Sequence, residues 1–523
     1  MNKKMFASKG SAAVSSPVTP STVVNSAGGK AYALTDHAAL AQFAMTGCFN
    51  GTYYCTQEDQ LAKVLDFAKK CDPAFVAKVA VYAREKGLMK DMPAFLAAMV
   101  ASNDTALLSQ IFGRVIDSPK MLRNFVQITR SGVTGRKSFG TRPKKLMQNY
   151  LSNLTDEQLF KADVGNDPSL QDVIKMVRPK PTNKNRNALY AYLLDKEYVA
   201  DDLAHIVKAY EEFKKNPVGD VPDVPFQKLD SLPLTEAHWT QIAEKATWTQ
   251  TRMNLNTFLR HGVFNDQRMV DMVAFRLENE VQIKAAKVFP YQLFAAFKNV
   301  DEKMPARITL ALQKAAEIAI QNVPEFDGNV FVLEDISGSM RSPVTGHRVG
   351  STSKVSCLDV AALFAASVLR KNPEAEVIPF SDRLNLVKLN PLDSIMTNAQ
   401  KLASLPSGGT DCSLPLAHLN KTGAMGDLVI YVSDNESWMD SYRSYYNRGT
   451  STMAEWEKYK ARNPKAKLVC IDITPNATTQ ASSGKDVLNI GGFSDQVFDV
   501  IAKFVEYGNS PDFWVSTIEA VKL

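Results

Sequence analysis

At 523 residues the chain is too long for a single hydrophobic core, so two or more domains are expected. No run of about 18 apolar residues appears, which argues against a membrane-crossing helix. The net charge of +6 is uneven, with 42 basic against 34 acidic residues before Gly328 and 19 against 21 from there on. That asymmetry points to a polyanionic partner for the first part.

Residues 1–30 are rich in Ser, Val, Thr, Gly and Ala. They carry two early lysines but no apolar stretch, and are expected to form a flexible tail rather than an export signal. From Asp36 to about Val323 the apolar residues recur at helical spacing, as in Leu61, Val64, Leu65 and Ala68, or Leu203, Ile206, Val207 and Tyr210. Thr56–Asp59 and Thr155–Gln158 have the form of capping boxes, and Pro73, Pro93, Pro168 and Pro217 fall near helix starts or between helices. Residues 31–327 are therefore expected to be an all-α solenoid of diverged repeats. At Asn329 the pattern changes. Asn329–Leu333, Ala375–Phe380, Leu428–Ser433 and Lys467–Ile473 are short apolar strands. They alternate with helices over Val355–Leu369, Thr397–Leu405, Met453–Arg462 and Asp495–Tyr507. Residues 328–523 should be a doubly wound α/β domain with a parallel sheet. Cys48, Cys55, Cys71, Cys357, Cys412 and Cys470 are scattered and form no CxxC pair. Reduced thiols and a cytoplasmic location are expected.

The first of these strands runs into Asp335, Ser337 and Ser339, at DxSxS spacing. Ligands in open α/β sheets bind at the carboxyl ends of strands, and alternate residues on an extended loop face one side. Gly338 is expected to let the backbone turn closely between the two serines. A glycine-rich loop, Ser407–Asp411, adds the Thr410 hydroxyl, and Asp434 follows the Leu428–Ser433 strand. Two carboxylates and three hydroxyls are hard oxygen donors, suited to Mg²⁺ or a similar divalent cation. Together the three pieces resemble the metal-ion-dependent adhesion site of the von Willebrand factor A domain. By that resemblance Ser337, Ser339 and Thr410 contact the ion, and Asp335 and Asp434 do so directly or through water. No histidine-based triad accompanies them, and Cys412 reads as a buried small side chain.

The helical part carries a second resemblance. Leu40–Tyr54 (LAQFAMTGCFNGTYY), Val79–Glu85 (VAVYARE) with Met92 and Pro93, Asp172–Pro181 (DVIKMVRPKP), Thr251–Asn256 (TRMNLN) and Phe289–Leu293 (FPYQL) are similar to successive signatures of the TROVE module. A TROVE module followed by a von Willebrand A domain is the architecture of the Ro autoantigen family, and the chain resembles its bacterial members. The resemblance implies a HEAT-like helical ring closed by the A domain. It also implies binding of Y-like RNA and misfolded non-coding RNA, with single-stranded 3′ ends entering the ring. Polynucleotide phosphorylase or another ribonuclease is the implied partner in RNA quality control or decay. At Arg178, where many animal members have a histidine, an arginine keeps a phosphate donor without pH dependence.

Charge supports the same reading. Between Ser118 and Thr155 there is no acidic residue, but there are Lys120, Arg123, Arg130, Arg136, Lys137, Arg142, Lys144 and Lys145. A second cluster holds Lys175, Arg178, Lys180, Lys184 and Arg186. Phe139 and Tyr150 interleave as candidate stacking groups, whereas Tyr53 and Tyr54 are expected to pack inside the first helical pair. Such clusters bind phosphates. The expected function is a non-enzymatic RNA-binding ribonucleoprotein component. Two alternatives stand beside it: a protein-interaction adaptor using the metal to capture a carboxylate, and a metal-dependent nuclease. The second is disfavoured because nucleases commonly hold paired metals with clustered carboxylates.

Overall fold

The computed structural model describes residues 18–288, 290–347, 355–439, 449–494 and 496–523. Residues 1–17, Phe289 of the fifth TROVE-like signature and Asp495 of the last α/β-domain helix lie outside the described residues. The chain divides into two compact units. One comprises Met1–Gln60 with Asn322–Thr517, the other Leu61–Gln321 with Ile518–Leu523.

The Leu61–Gln321 unit is helical among its described residues. Helices Pro73–Glu85, Asp91–Asn103, Thr105–Val115, Pro119–Ser131, Thr141–Asn153, Asp156–Ala162, Leu170–Val177 and Lys184–Leu193 follow one another through short connections. Local chemistry sets their starts. Asp72, Asp104 and Ser118 accept hydrogen bonds from the first free amides of their helices, and Thr155 and Ser169 form reciprocal capping boxes. The Pro119–Ser131 helix shows how such a helix is built. Met121, Leu122, Phe125, Val126 and Thr129 make a buried stripe, and Gly132 closes the helix at φ +80°. The basic residues are left on the other side. No described helix is long and apolar enough to cross a membrane.

The second unit is built on a five-stranded parallel sheet. In chain order its strands are β3 (Val330–Asp335), β4 (Glu376–Phe380), β5 (Leu428–Ser433), β6 (Lys467–Asp472) and β8 (Val487–Gly491), arranged β4-β3-β5-β6-β8. β3 and β5 are buried along their whole length, as a sheet covered on both faces requires. β8 was not anticipated from the sequence. Its run VLNIG is broken by Asn489, whose amide is satisfied by Ala481 O and Ser483 Oγ and whose Oδ1 accepts from Thr479 Oγ1 at 2.6 Å.

The expected domain limits differ from the observed ones at the N-terminus. Described residues of the expected tail carry β1 (Val23–Val24), which pairs with β2 (Lys30–Ala33). β2 in turn pairs with β7 (Thr478–Thr479). Tyr32 enters the same apolar cluster as Phe331, Leu333 and Tyr431. The Asp36–Thr46 helix packs on β8, and Gln42 Nε2 donates to Thr474 O at 2.9 Å. Residues 31–60, expected to open the helical module, are therefore grouped with the α/β unit.

Candidate metal centre and basic helices

The parallel sheet delivers Asp335 and Asp434 at the carboxyl ends of the adjacent strands β3 and β5. Asp335 is fixed twice. Its Oδ1 accepts from Ser337 N at 2.8 Å, and its Oδ2 accepts from Ser433 Oγ at 2.6 Å. Ser337 Oγ and Ser339 Oγ stand 3.2 Å apart. Ser339 and Asp434 line one small cavity, and Asp434 Oδ1 accepts from Glu436 N at 3.3 Å. The third piece arrives through backbone bonds. Gly338 N donates to Gly408 O at 3.0 Å, and Trp438 N and Met439 N donate to Thr410 O at 3.1 Å. All three parts foreseen in the sequence therefore come together, and Asp335, Ser337, Ser339, Thr410 and Asp434 are each buried.

The glycine expected to matter here, Gly338, is not required by its backbone or by its surroundings. Gly338 has φ −62° and ψ −37°, open to any residue, and a Cβ there would meet Gly408 O only at 3.7 Å. A Cβ on Gly408 would meet only the end of the exposed Asp382 side chain, which can turn aside.

The donor set fits a small divalent cation. Octahedral oxygens at about 2.1 Å from an ion lie about 3 Å from each other, which is the spacing of the two serine hydroxyls. Burial raises the Asp335 carboxyl, against the opposing hydrogen bonds from Ser433 and Ser337. Burial first, then the charge of Asp335, raises Asp434. At the end of β6, burial and the nearby Asp434 and Glu436 charges raise Asp472 well above the ordinary carboxylate range. Glu334, fully buried with neither carboxyl oxygen hydrogen-bonded, is raised by burial and by Asp335. Carboxyls gathered at one buried sheet end repel each other when ionised, and a cation would relieve that cost.

Several residues at this site were not singled out in the sequence. Asp472 had a legible signal, an acid ending a buried parallel strand. Ser433 and Glu436 had none. The Asp434 loop is braced by the β1–β2 turn. Asn25 Nδ2 donates to Ser437 O at 2.8 Å, and Ala27 N donates to Glu436 Oε2 at 3.1 Å. A Cβ on Gly29 would stand 1.9 Å from Ser437 O. Tyr54, expected inside a helical pair, instead lines a small cavity together with Ser339 and Asp434, while Tyr53 is 61% exposed. Cys412 is buried, as expected.

The basic residues divide by what they touch. The Leu170–Val177 helix packs against both Pro119–Ser131 and Thr141–Asn153. Lys120, Lys137, Arg142, Lys145, Lys175, Arg178 and Lys180 are exposed on or beside these helices. Lys184 is exposed but paired with Asp202 at 2.9 Å. Arg130 is exposed and donates to Lys137 O, and half-buried Arg136 donates to Ala101 O at 2.9 Å, so both hold the intervening loop. Arg123 and Lys144 are half-buried, the first with its guanidinium over Gly165. Arg186 corrects the sequence reading. It is 4% exposed, paired with Asp156, and donates to the carbonyls of Leu151 and Leu154. Phe139 is buried and Tyr150 half-buried, so Phe139 is no stacking group.

Comparison with known proteins bears on the whole chain. Residues 330–505 match the family model of the Ro60 vWA domain. The chain is 23% identical over 521 residues to RNA-binding protein RO60 of Deinococcus radiodurans, covering 92% of this chain and 95% of that protein. It is 21% identical over 250 residues to RNA-binding protein RO60 of Caenorhabditis elegans, covering 46% and 37% respectively. Its fold is similar to the crystal structure of the Deinococcus radiodurans Ro (Rsr) protein. The TM-score there is 0.63 at 19% identity, over 90% of this chain and 99% of that one. The resemblance to the Ro family drawn from the motifs is thus carried along nearly the full length.

Proposed function

We propose that the chain is an RNA-binding protein of the Ro type, a scaffold rather than a catalyst. In this reading its helical unit holds RNA and its α/β unit holds a divalent cation, most naturally Mg²⁺. One observation carries it: the acid-free stretch from Ser118 to Thr155 presents exposed Lys120, Arg130, Lys137, Arg142 and Lys145, with Arg178 and Lys180 on the helix end packed beside it. Exposed cations on neighbouring helices neutralise phosphates and attract RNA over long range. The relatives named RNA-binding protein RO60 support the same assignment. We further propose that the ligands are Y-like RNA and misfolded non-coding RNAs with single-stranded 3′ ends. The protein would act in the cytoplasm beside polynucleotide phosphorylase or another ribonuclease, in RNA quality control or decay.

The test is a filter-binding salt titration. Each phosphate contact releases counterions, so log affinity falls linearly with log salt. Neutralising Lys137, Arg142, Lys145 and Lys180 together should flatten the slope by up to about four units, similarly for RNAs of different sequence. An unchanged slope would move the RNA path elsewhere. For the cation, Asp335→Ala should abolish Mg²⁺ or Mn²⁺ binding by calorimetry while leaving RNA affinity nearly intact. Full cation affinity in that variant would remove the site.

A further inference from the structure

We propose that the metal site is closed in cis: Tyr54 covers the face on which the cation would take an external carboxylate, so an acidic ligand reaches the ion only by displacing Tyr54. This rests on the cation reading above. The five proposed ligands are between 0 and 6% exposed, although the strand ends and loops that carry them belong to an edge where ligands are normally taken from solvent. Among the segments packed around them, the stretch between the Asp36–Thr46 helix and Gln57 brings Thr52, Tyr53 and Tyr54 to the side of Ser339 and Asp434. Tyr54 stands beside Ser339 and the Asp434 carboxyl at this edge. A small cavity is lined by Thr52, Tyr54, Ser339, Asp434 and Asn476.

The cover is a built element. Cys48 Sγ and Asn50 Nδ2 both donate to Thr345 O at 2.8 Å. Gly51 pairs with His347, whose N donates to Gly51 O at 2.8 Å. Gly346 sits at φ +69°, and a Cβ there would come within 2.7 Å of Asn50 Cβ. The base of the loop is thereby fastened to the chain that follows the two serines. Its tip is a small turn, with Thr52 N donating to Cys55 O at 2.8 Å. The Tyr53 ring packs edge-on to Tyr54 at 4.7 Å and faces solvent. With the base fastened and the tip closed by the bonds from Thr52 N and Oγ1 to Cys55 O, Tyr54 can swing without unfolding the loop.

Mn²⁺ bound to the full chain provides the test, through the proton relaxation of water exchanging on the ion. In the wild type the relaxation enhancement should be low and insensitive to added acetate. Tyr54→Ala should raise it by roughly twofold, because one or two further water positions open on a hard cation that retains waters. Acetate should then lower it again by taking those positions. Tyr54→Phe keeps the ring packing and removes only the hydroxyl, so it should move in the same direction by less. Mn²⁺ bound with the same enhancement and the same acetate response in all three proteins overturns the cover and leaves the cation site standing. No Mn²⁺ bound to any of them overturns the site, and the cover with it.

Discussion

A guanidinium that is 4% exposed must find protein acceptors for its donors, because water is not there to take them. Arg186 meets this with the Asp156 carboxylate and with the carbonyls of Leu151 and Leu154, the last turn of the Thr141–Asn153 helix and its cap. Its charge is consumed inside the fold. Arg186→Ala should therefore cost about 3 kcal/mol of stability in urea unfolding, since it strands a largely buried carboxylate and two helix-end carbonyls. The salt slope of RNA binding should stay unchanged. A flattened slope with full stability would return Arg186 to the RNA surface. Position in a basic run could not separate Arg186 from exposed Arg178 or Lys180, because burial depends on which helix face meets its neighbour. The convergence of the proposed cation ligands on the first strand was legible for the opposite reason. Asp335, Ser337 and Ser339 lie within five residues on one strand end, and that local spacing already dictates their convergence. Tyr54 approaches Ser339 only through the fold, and nothing in the local sequence announces it.

Between elements, the helical unit repeatedly uses a cation from one helix to finish another. Arg276 donates from Nη1 to Ala243 O at 2.6 Å and from Nη2 to Glu244 O at 2.8 Å, closing the Glu236–Lys245 helix. Arg307, on the Ala306–Ala319 helix, grips Glu278, which caps the Gln267–Leu277 helix, and Lys314 adds to it at 3.4 Å. The hydrogen bond from Arg307 holds the Glu278 carboxyl below its ordinary range. The folded state therefore binds this proton more weakly than the unfolded chain. The stabilisation is fully present above the unfolded pKa and is lost as pH falls through the lowered folded one. Glu278→Gln should lower stability at neutral pH by on the order of 1 kcal/mol, allowing for solvent screening. Thermal melts from neutral to strongly acidic pH should converge with the wild type at the acid end. A constant gap across that range would assign the loss to packing. Helix existence was legible from period and capping, since both are local. β8 was hidden because Asn489 interrupts its apolar run, and its partner Thr479 is supplied by another segment.

For the α/β unit as a whole, the question is what must be present for it to fold. Residues 328–523 contain the entire parallel sheet and all five proposed cation ligands. Yet the unit also includes the segment up to Gln60. That segment supplies β1 and β2, braces the Asp434 loop through Asn25 and Ala27, and lays the Asp36–Thr46 helix on β8. Composition hid this, because a Ser- and Gly-rich start reads as tail, while Gly29 is there to let the backbone reach Ser437. Leu40 and Phe43 are fully buried, and each such side chain contributes about 1.5–3 kcal/mol when removed from water. Losing two of them together with Tyr32 approaches the whole stability of an ordinary domain, about 5–15 kcal/mol. Residues 328–523 expressed alone should therefore unfold at much lower urea than the α/β unit of the full chain, or aggregate through the uncovered face of β8. Joining residues 18–60 to them by a flexible linker should restore a single cooperative transition, checked by circular dichroism. If the shorter fragment unfolded cooperatively at the same urea concentration as the joined one, the N-terminal segment would be an appendage, and the expected boundary at Gly328 would be the correct one.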